Sequence, residues 1–148
     1  MQNAPTDSHL QQDLDVIARV FDEASVIIHG IEGVISHWTT GCERMYGWRR
    51  DEALGSVVHD LLRTKLPRPV DDIRREVHAG ITWEGDIVHY HRDGHPLTVA
   101  TRWVVFDPSS IAPVVIQTNT DVSETRKIQN DLANREAHLT SILATVPD

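Results

Sequence analysis

One cysteine in 148 residues, Cys42, rules out an internal disulfide framework and a zinc site built on cysteines, and fits a reducing compartment. Basic residues are outnumbered. Fourteen Lys and Arg face 22 Asp and Glu, a formal net charge of -8, so no basic surface is expected to neutralise nucleic acid or an anionic membrane. The same charge serves solubility. No apolar run nears the roughly 20 residues that span a bilayer. Met1 to Pro5 carries no basic or apolar signal pattern, so a cytoplasmic location is expected. There is no glycine-rich phosphate loop, no Gly-x-Ser-x-Gly elbow, no His-Glu-x-x-His and no kinase catalytic set, and no enzymatic activity is expected of this chain. What remains, 40% hydrophobic and 24% charged, suits one globular domain with helical extensions.

The apolar pattern changes period once, across Asp121-Val122-Ser123-Glu124. Before it, Val114/Ile116/Thr118 and Val115/Gln117/Asn119 alternate as the two sides of a strand covered on both faces. After it, Ile128, Leu132, Leu139, Ile142 and Val146 fall on a 4-3-4-3-4 ladder with Arg135 at the missing rung. A strand that runs directly into a two-stranded zipper can pass a conformational change onward, with Asp121, Ser123 and Glu124 at the transfer point.

Upstream, Asp7 or Ser8 can cap a first helix, and Ser8 to Gln11 has capping-box spacing. Its Leu10, Leu14, Ile17 and Phe21 make a stripe suited to docking or coiled-coil pairing, or to lying on its own domain. Two β-rich runs, Ser25 to His29 and Val34 to Trp38, flank a Gly30 to Gly33 reversal and are predicted to pair antiparallel. Short helices follow: one capped by Thr39 or Thr40 and stopped by Gly47, one closed by Gly55, a third over Val57 to Leu62, and one opened by Pro69 that ends near Gly80. Two long strands, Trp83 to His91 and Pro96 to Phe106, meet at the turn Arg92 to His95. Helices segregated from an antiparallel sheet make an α+β domain.

The string Gly33 to Trp48, then Asp51 to Gly55, Arg92-Asp93-Gly94 and Thr120 to Glu124, resembles a PAS sensor domain over roughly residues 20 to 126. The family's common asparagine after the tryptophan is Thr39 here, which can still cap the next helix. The resemblance implies a PAS fold, a five-stranded antiparallel sheet with short helices on one face, flanked by an N-terminal helix and a C-terminal coiled-coil linker helix. Residues 1–22 are assigned to the first helix, 23–123 to the PAS domain and 124–148 to the linker. Arg135 to Asp148 resembles the lead into a second PAS domain of a FixL-type oxygen-sensing histidine kinase. The resemblance therefore implies a first, non-haem PAS module of a two-component sensor kinase, homodimeric, with following PAS and kinase domains in the same chain.

Cofactor and metal sites can be weighed against this frame. The haem-ligating histidine of FixL-type PAS domains would fall near Pro69 to Asp71, where none stands; His78 is at the end of that helix. Cys42 does not sit in the cysteine motif of flavin photoreceptors and is read as a small buried or half-buried residue. No cofactor is expected, with haem or flavin as the alternative. His89, His91 and His95 could approach one another across the hairpin, but no carboxylate completes a recognisable spacing, so they are read as a solvated face and no metal site is expected. His138 is read as an exposed linker histidine. Asn119 occupies the strand position that faces the cavity in PAS relatives, with Gln117 and Val115 on the same side. This row could hold a small polar ligand, or its amides could bond to the helices or a dimer partner.

Overall fold

The computed structural model describes residues 6–145. Helix α1 (Asp7–Glu23) leads to strands β1 (Val26–Gly30) and β2 (Ile35–Trp38). The short helices α2 (Thr40–Tyr46), α3 (Arg50–Ala53), α4 (Val58–Leu61) and α5 (Val70–His78) follow, then β3 (Trp83–Tyr90), β4 (Pro96–Phe106), β5 (Val114–Asp121) and the long α6 (Ser123–Thr145). All strand pairs are antiparallel, in one sheet ordered β2-β1-β5-β4-β3. The first and last strands thus meet in the middle, Val26 against Thr118 and Gly30 against Val114. No helix among the described residues is long and apolar enough to cross a membrane.

Local chemistry explains the element ends. The Thr39 hydroxyl accepts from the Cys42 amide at 3.3 Å and the Val26 amide at 3.1 Å, and donates to the Ala24 carbonyl at 2.6 Å. It therefore caps α2 and ties that helix to the start of β1. Gly47 ends α2 with φ 78 and returns its amide to the Glu43 carbonyl, a left-handed cap that suits glycine. In the first reversal Gly33 takes φ 89, while Gly30 stays in β1.

The core forms where α2 to α5 cover the inward face of the sheet. Tyr46, Val58, Ile73 and Val77 from the helical side pack with Ile27, Trp38, Ile87, Val99 and Trp103 from the strands. Each such aliphatic side chain contributes about 1.5–3 kcal/mol by leaving water.

Three expectations change. The capping box at the start of α1 is not made: Thr6 is the N-cap without a side-chain bond, and Gln11 donates to Asp15 one turn on. Helix α1 does not lie on its own domain. None of its residues is buried, and its last turn is anchored through Asp22 to Thr40 and Arg50 and through Glu23 to Arg44. The sheet is covered on one face. Val115, Gln117 and Asn119 are buried, whereas Thr118 on the outer side is exposed and Phe106 of β4 is 65% exposed.

Candidate functional site

The sheet register builds a polar line into the apolar interior. Gln117 lies between Ile27 and Trp103, and Asn119 opposite Thr101. The Gln117 amide nitrogen donates to His29 Nε2 at 2.9 Å, while His29 Nδ1 lies 2.7 Å from the Gly30 carbonyl. The imidazole is thus the Nδ1–H tautomer, which donates to the backbone and accepts from the glutamine. Trp103 Nε1 donates to the Thr101 hydroxyl at 2.9 Å, and that hydroxyl donates to Asn119 Oδ1 at 2.6 Å. The partners of both amides therefore come from the sheet itself, not from the helices.

One polar atom of each amide, Gln117 Oε1 and Asn119 Nδ2, has no partner among the described residues, although both residues are buried. An unmatched group of this kind costs about 1–3 kcal/mol and selects for a polar guest or a structural water. Val115, also inward, adds only apolar surface.

A second buried polar pair joins the end of α2 to β3. Tyr46 Oη and His89 Nδ1 are 2.7 Å apart, both fully buried. Burial raises the Tyr46 hydroxyl well above its ordinary value and lowers His89 to about 3, so both are neutral at pH 7. His89 Nε2 is left without a partner among the described residues. Contrary to the expectation of a solvated histidine face, His89 belongs to the core. His91 and His95 lie outside it, and the carboxylate that the sequence reading found missing is Asp93, next to both.

The interior has little room. A cavity of about 20 Å³, lined by His29, His59, Arg74, Val77, Trp103 and Val115, is enough for about one water molecule. A cofactor-sized ligand needs roughly 300–1,000 Å³. Helix α5 opens with Val70, Asp71 and Asp72 and carries its histidine, His78, in the last turn. The Cys42 thiol lies within α2 and donates to the Val26 carbonyl, and burial raises its pKa. These residues fit neither a haem held by α5 nor a flavin with an adjacent cysteine.

At the exit of the sheet the chain is clamped. The Val122 amide donates to the Thr98 carbonyl at 2.9 Å, the Thr98 amide to the Ser123 hydroxyl at 2.9 Å, and the Ser123 amide to Asp121 Oδ1 at 3.0 Å. Arg126 then reaches Asp86 on β3 with two bonds of 2.6 and 3.2 Å. Glu124 adds negative charge to the first turn of α6, where the helix dipole favours it. Beyond the clamp, Ile128, Leu132, Leu139 and Ile142 are 46–59% exposed, and no residue of α6 is buried. Leu10, Leu14, Ile17 and Phe21 on α1 are exposed too. Val146, the last rung of the ladder, lies outside the described residues.

Sequence reasoning missed Asp86, Thr98 and Arg126 of the clamp and His29 and His59 of the interior. A strand aspartate and a helix arginine 40 residues apart leave no periodic signal.

No family model and no curated protein sequence matches the chain. Solved structures do. The PAS domain of a protein from Colwellia psychrerythraea is 25% identical, with a TM-score of 0.59 over 75% of this chain and 98% of that one. An RNA-binding light-oxygen-voltage receptor superposes with a TM-score of 0.72 at 16% identity, over 93% of this chain but 41% of the receptor. The blue-light photoreceptor Aureochrome1 LOV domain, in its light state, is 21% identical with a TM-score of 0.59, over 80% and 98%. The chain has the PAS fold: α+β, with an open five-stranded antiparallel sheet and flanking helices.

Proposed function

We propose that this chain is a sensory signal-transduction module that works as a homodimer and relays a change in its polar interior through Asp121, Ser123 and Glu124 into α6. One observation carries the reading. The first turn of α6 is bonded to β3 and β4, while the apolar stripe that follows is left uncovered by the described residues of its own protomer. A displacement of the inner strands is thereby delivered to a helix built to pair.

The energetics favour a weak, switchable dimer. Ile128, Leu132, Leu139 and Ile142 are about half exposed, so each contributes roughly 1 kcal/mol on pairing, about 8 kcal/mol for two helices. That is within the ~4–15 kcal/mol cost of association. Leu10, Leu14, Ile17 and Phe21 of α1 would supply the margin, and Arg135 in the seam weakens alternative registers. In the finer form of the proposal, the module sits in a FixL-like two-component histidine kinase in the cytoplasm, ahead of further PAS and kinase domains. It performs no catalysis itself. Unlike the RNA-binding neighbour, it would take no nucleic acid partner, because its net charge is -8.

Sedimentation equilibrium tests the dimer. Self-association is expected in the micromolar range and should disappear in the Leu132→Glu, Leu139→Glu double variant with an unchanged circular dichroism spectrum. A chain still monomeric at about 200 µM would overturn it.

The partnerless Gln117 Oε1 and Asn119 Nδ2 favour a second reading, a receptor that opens to hold a small polar molecule against Asn119, Gln117 and Val115. Native mass spectrometry of protein purified from cells would show the added mass, and an absorption spectrum would reveal a haem or flavin. Blank results in both, with a dimer present, would leave a structural dimerisation spacer.

A further inference from the structure

We propose that His91, Asp93 and His95, at the tip of the β3–β4 hairpin, form a site for a borderline transition-metal ion, with zinc as the reference ligand. The ligand atoms of the three side chains all lie within 4.8 Å of one another. His91 Nδ1 is 3.2 Å from Asp93 Oδ1, and His95 Nδ1 is hydrogen-bonded to the same carboxylate oxygen. Ligands about 2.0–2.2 Å from a tetrahedral zinc stand roughly 3.3–3.6 Å apart, so small rotations of these side chains bring the donors into range. Two imidazole nitrogens and one carboxylate oxygen suit zinc, nickel or copper(II) and leave at least one position open.

The turn is set before any metal arrives. The His91 amide donates to the His95 carbonyl and the Gly94 amide to the His91 carbonyl, both at 2.9 Å, and Gly94 takes φ 95. His91 Nδ1 accepts from the Asp93 amide at 3.1 Å, so its lone pair already faces the interior of the turn. The other edge of the His91 ring lies over Gly47, where a Cβ would come within 2.6 Å of Cε1 and 2.7 Å of Nε2. That contact closes off Nε2, so Nδ1 is the nitrogen that ligates, once the metal displaces its bond from the Asp93 amide. The rings of His91 and His95 stack at 4.6 Å, which holds both on one side of the hairpin.

The site also touches the interior. Next to His91, the Arg92 amide donates to the Tyr46 carbonyl at 2.9 Å, and the Tyr46 hydroxyl bonds to His89 in the core. Metal binding would stiffen the hairpin against the end of α2, on which that buried pair depends.

Zinc chloride titrated into untagged protein by isothermal calorimetry tests the site. One zinc per chain is expected, with the affinity lowered at least about tenfold in His95→Ala and in Asp93→Ala. Both side chains are more than half exposed, so these variants should fold, and matching circular dichroism spectra without zinc would check it. His37→Ala, an exposed histidine on β2, should bind as the parent does. No heat at about 100 µM zinc, or binding of equal strength in the parent, His95→Ala and Asp93→Ala, would overturn the proposal.

Discussion

Lowering the pH from 7 to 5 should destabilise the domain through His59, and the size of the loss can be worked from its surroundings. The ring lies tilted against Trp103 at 5.5 Å and meets His29 edge-on at 6.2 Å. Burial, with smaller contributions from His29 and the Arg74 guanidinium, lowers its pKa from 6.5 to about 4, against a weaker opposing effect of Asp60. In the unfolded chain the same imidazole titrates near its ordinary value. Above that value neither state binds the proton, and stability is independent of it. As pH falls through 6.5 the unfolded state takes up a proton that the folded state refuses until about 4, so stability declines across that window and levels off below it. At pH 5 the loss amounts to about 2 kcal/mol, with about 1 kcal/mol of it between pH 6 and 5. His29, whose pKa burial also lowers, adds a decline of the same sign.

Urea denaturation at pH 7, 6 and 5 measures this slope. His59→Gln retains a polar group near Thr64, 3.2 Å from His59 Nδ1, but cannot titrate. The variant's offset in stability is immaterial. Its slope between pH 6 and 5 should be shallower by about 1 kcal/mol per unit. The depressed carboxyls Asp22 and Asp86, held low chiefly by hydrogen bonds from Thr40 and Arg126 respectively, do not confuse the result. Their stabilisation is present above the ordinary carboxyl range and is lost only at lower pH. An unchanged slope in His59→Gln would refute the reasoning.

Two further perturbations probe the frame around the sites. Gly47→Ala would force a Cβ to within 2.6 Å of the His91 ring at φ 78, and thermal melting should show a loss of about 1–3 kcal/mol; a neutral result would mean that the hairpin tip gives way freely. Ser123→Ala removes the acceptor of the Thr98 amide and should cost about 1 kcal/mol, seen in hydrogen exchange as faster opening of the first turn of α6 while the core strands keep their protection. Unchanged exchange there would show that the clamp is held by the Val122–Thr98 bond and the Arg126–Asp86 pair without Ser123.

How much could be read in advance follows from the range of each interaction. The glycine stops, the Thr39 cap and the Asp93-Gly94 turn are written within a few residues, and they appear where the sequence places them. The inward row Val115, Gln117 and Asn119 follows from a period of two. By contrast, the histidines deceived. His89, His91 and His95 share a short stretch, yet one faces Tyr46 and two face Asp93, because the strand ends at Tyr90 and the chain turns there.

Local pattern, by itself, therefore determined the elements, their order, the antiparallel α+β class and the apolar stripes of α1 and α6, since these depend on neighbours within a few positions. The tertiary structure decided the rest. It selected Thr101 and His29 as partners of the amides, filled the interior down to a water-sized cavity, left α1 and the outer sheet face uncovered, and joined α6 to the sheet through Asp86, Thr98, Ser123 and Arg126. These contacts span from 18 to 88 residues of chain, and they arise only once strand register brings distant side chains face to face.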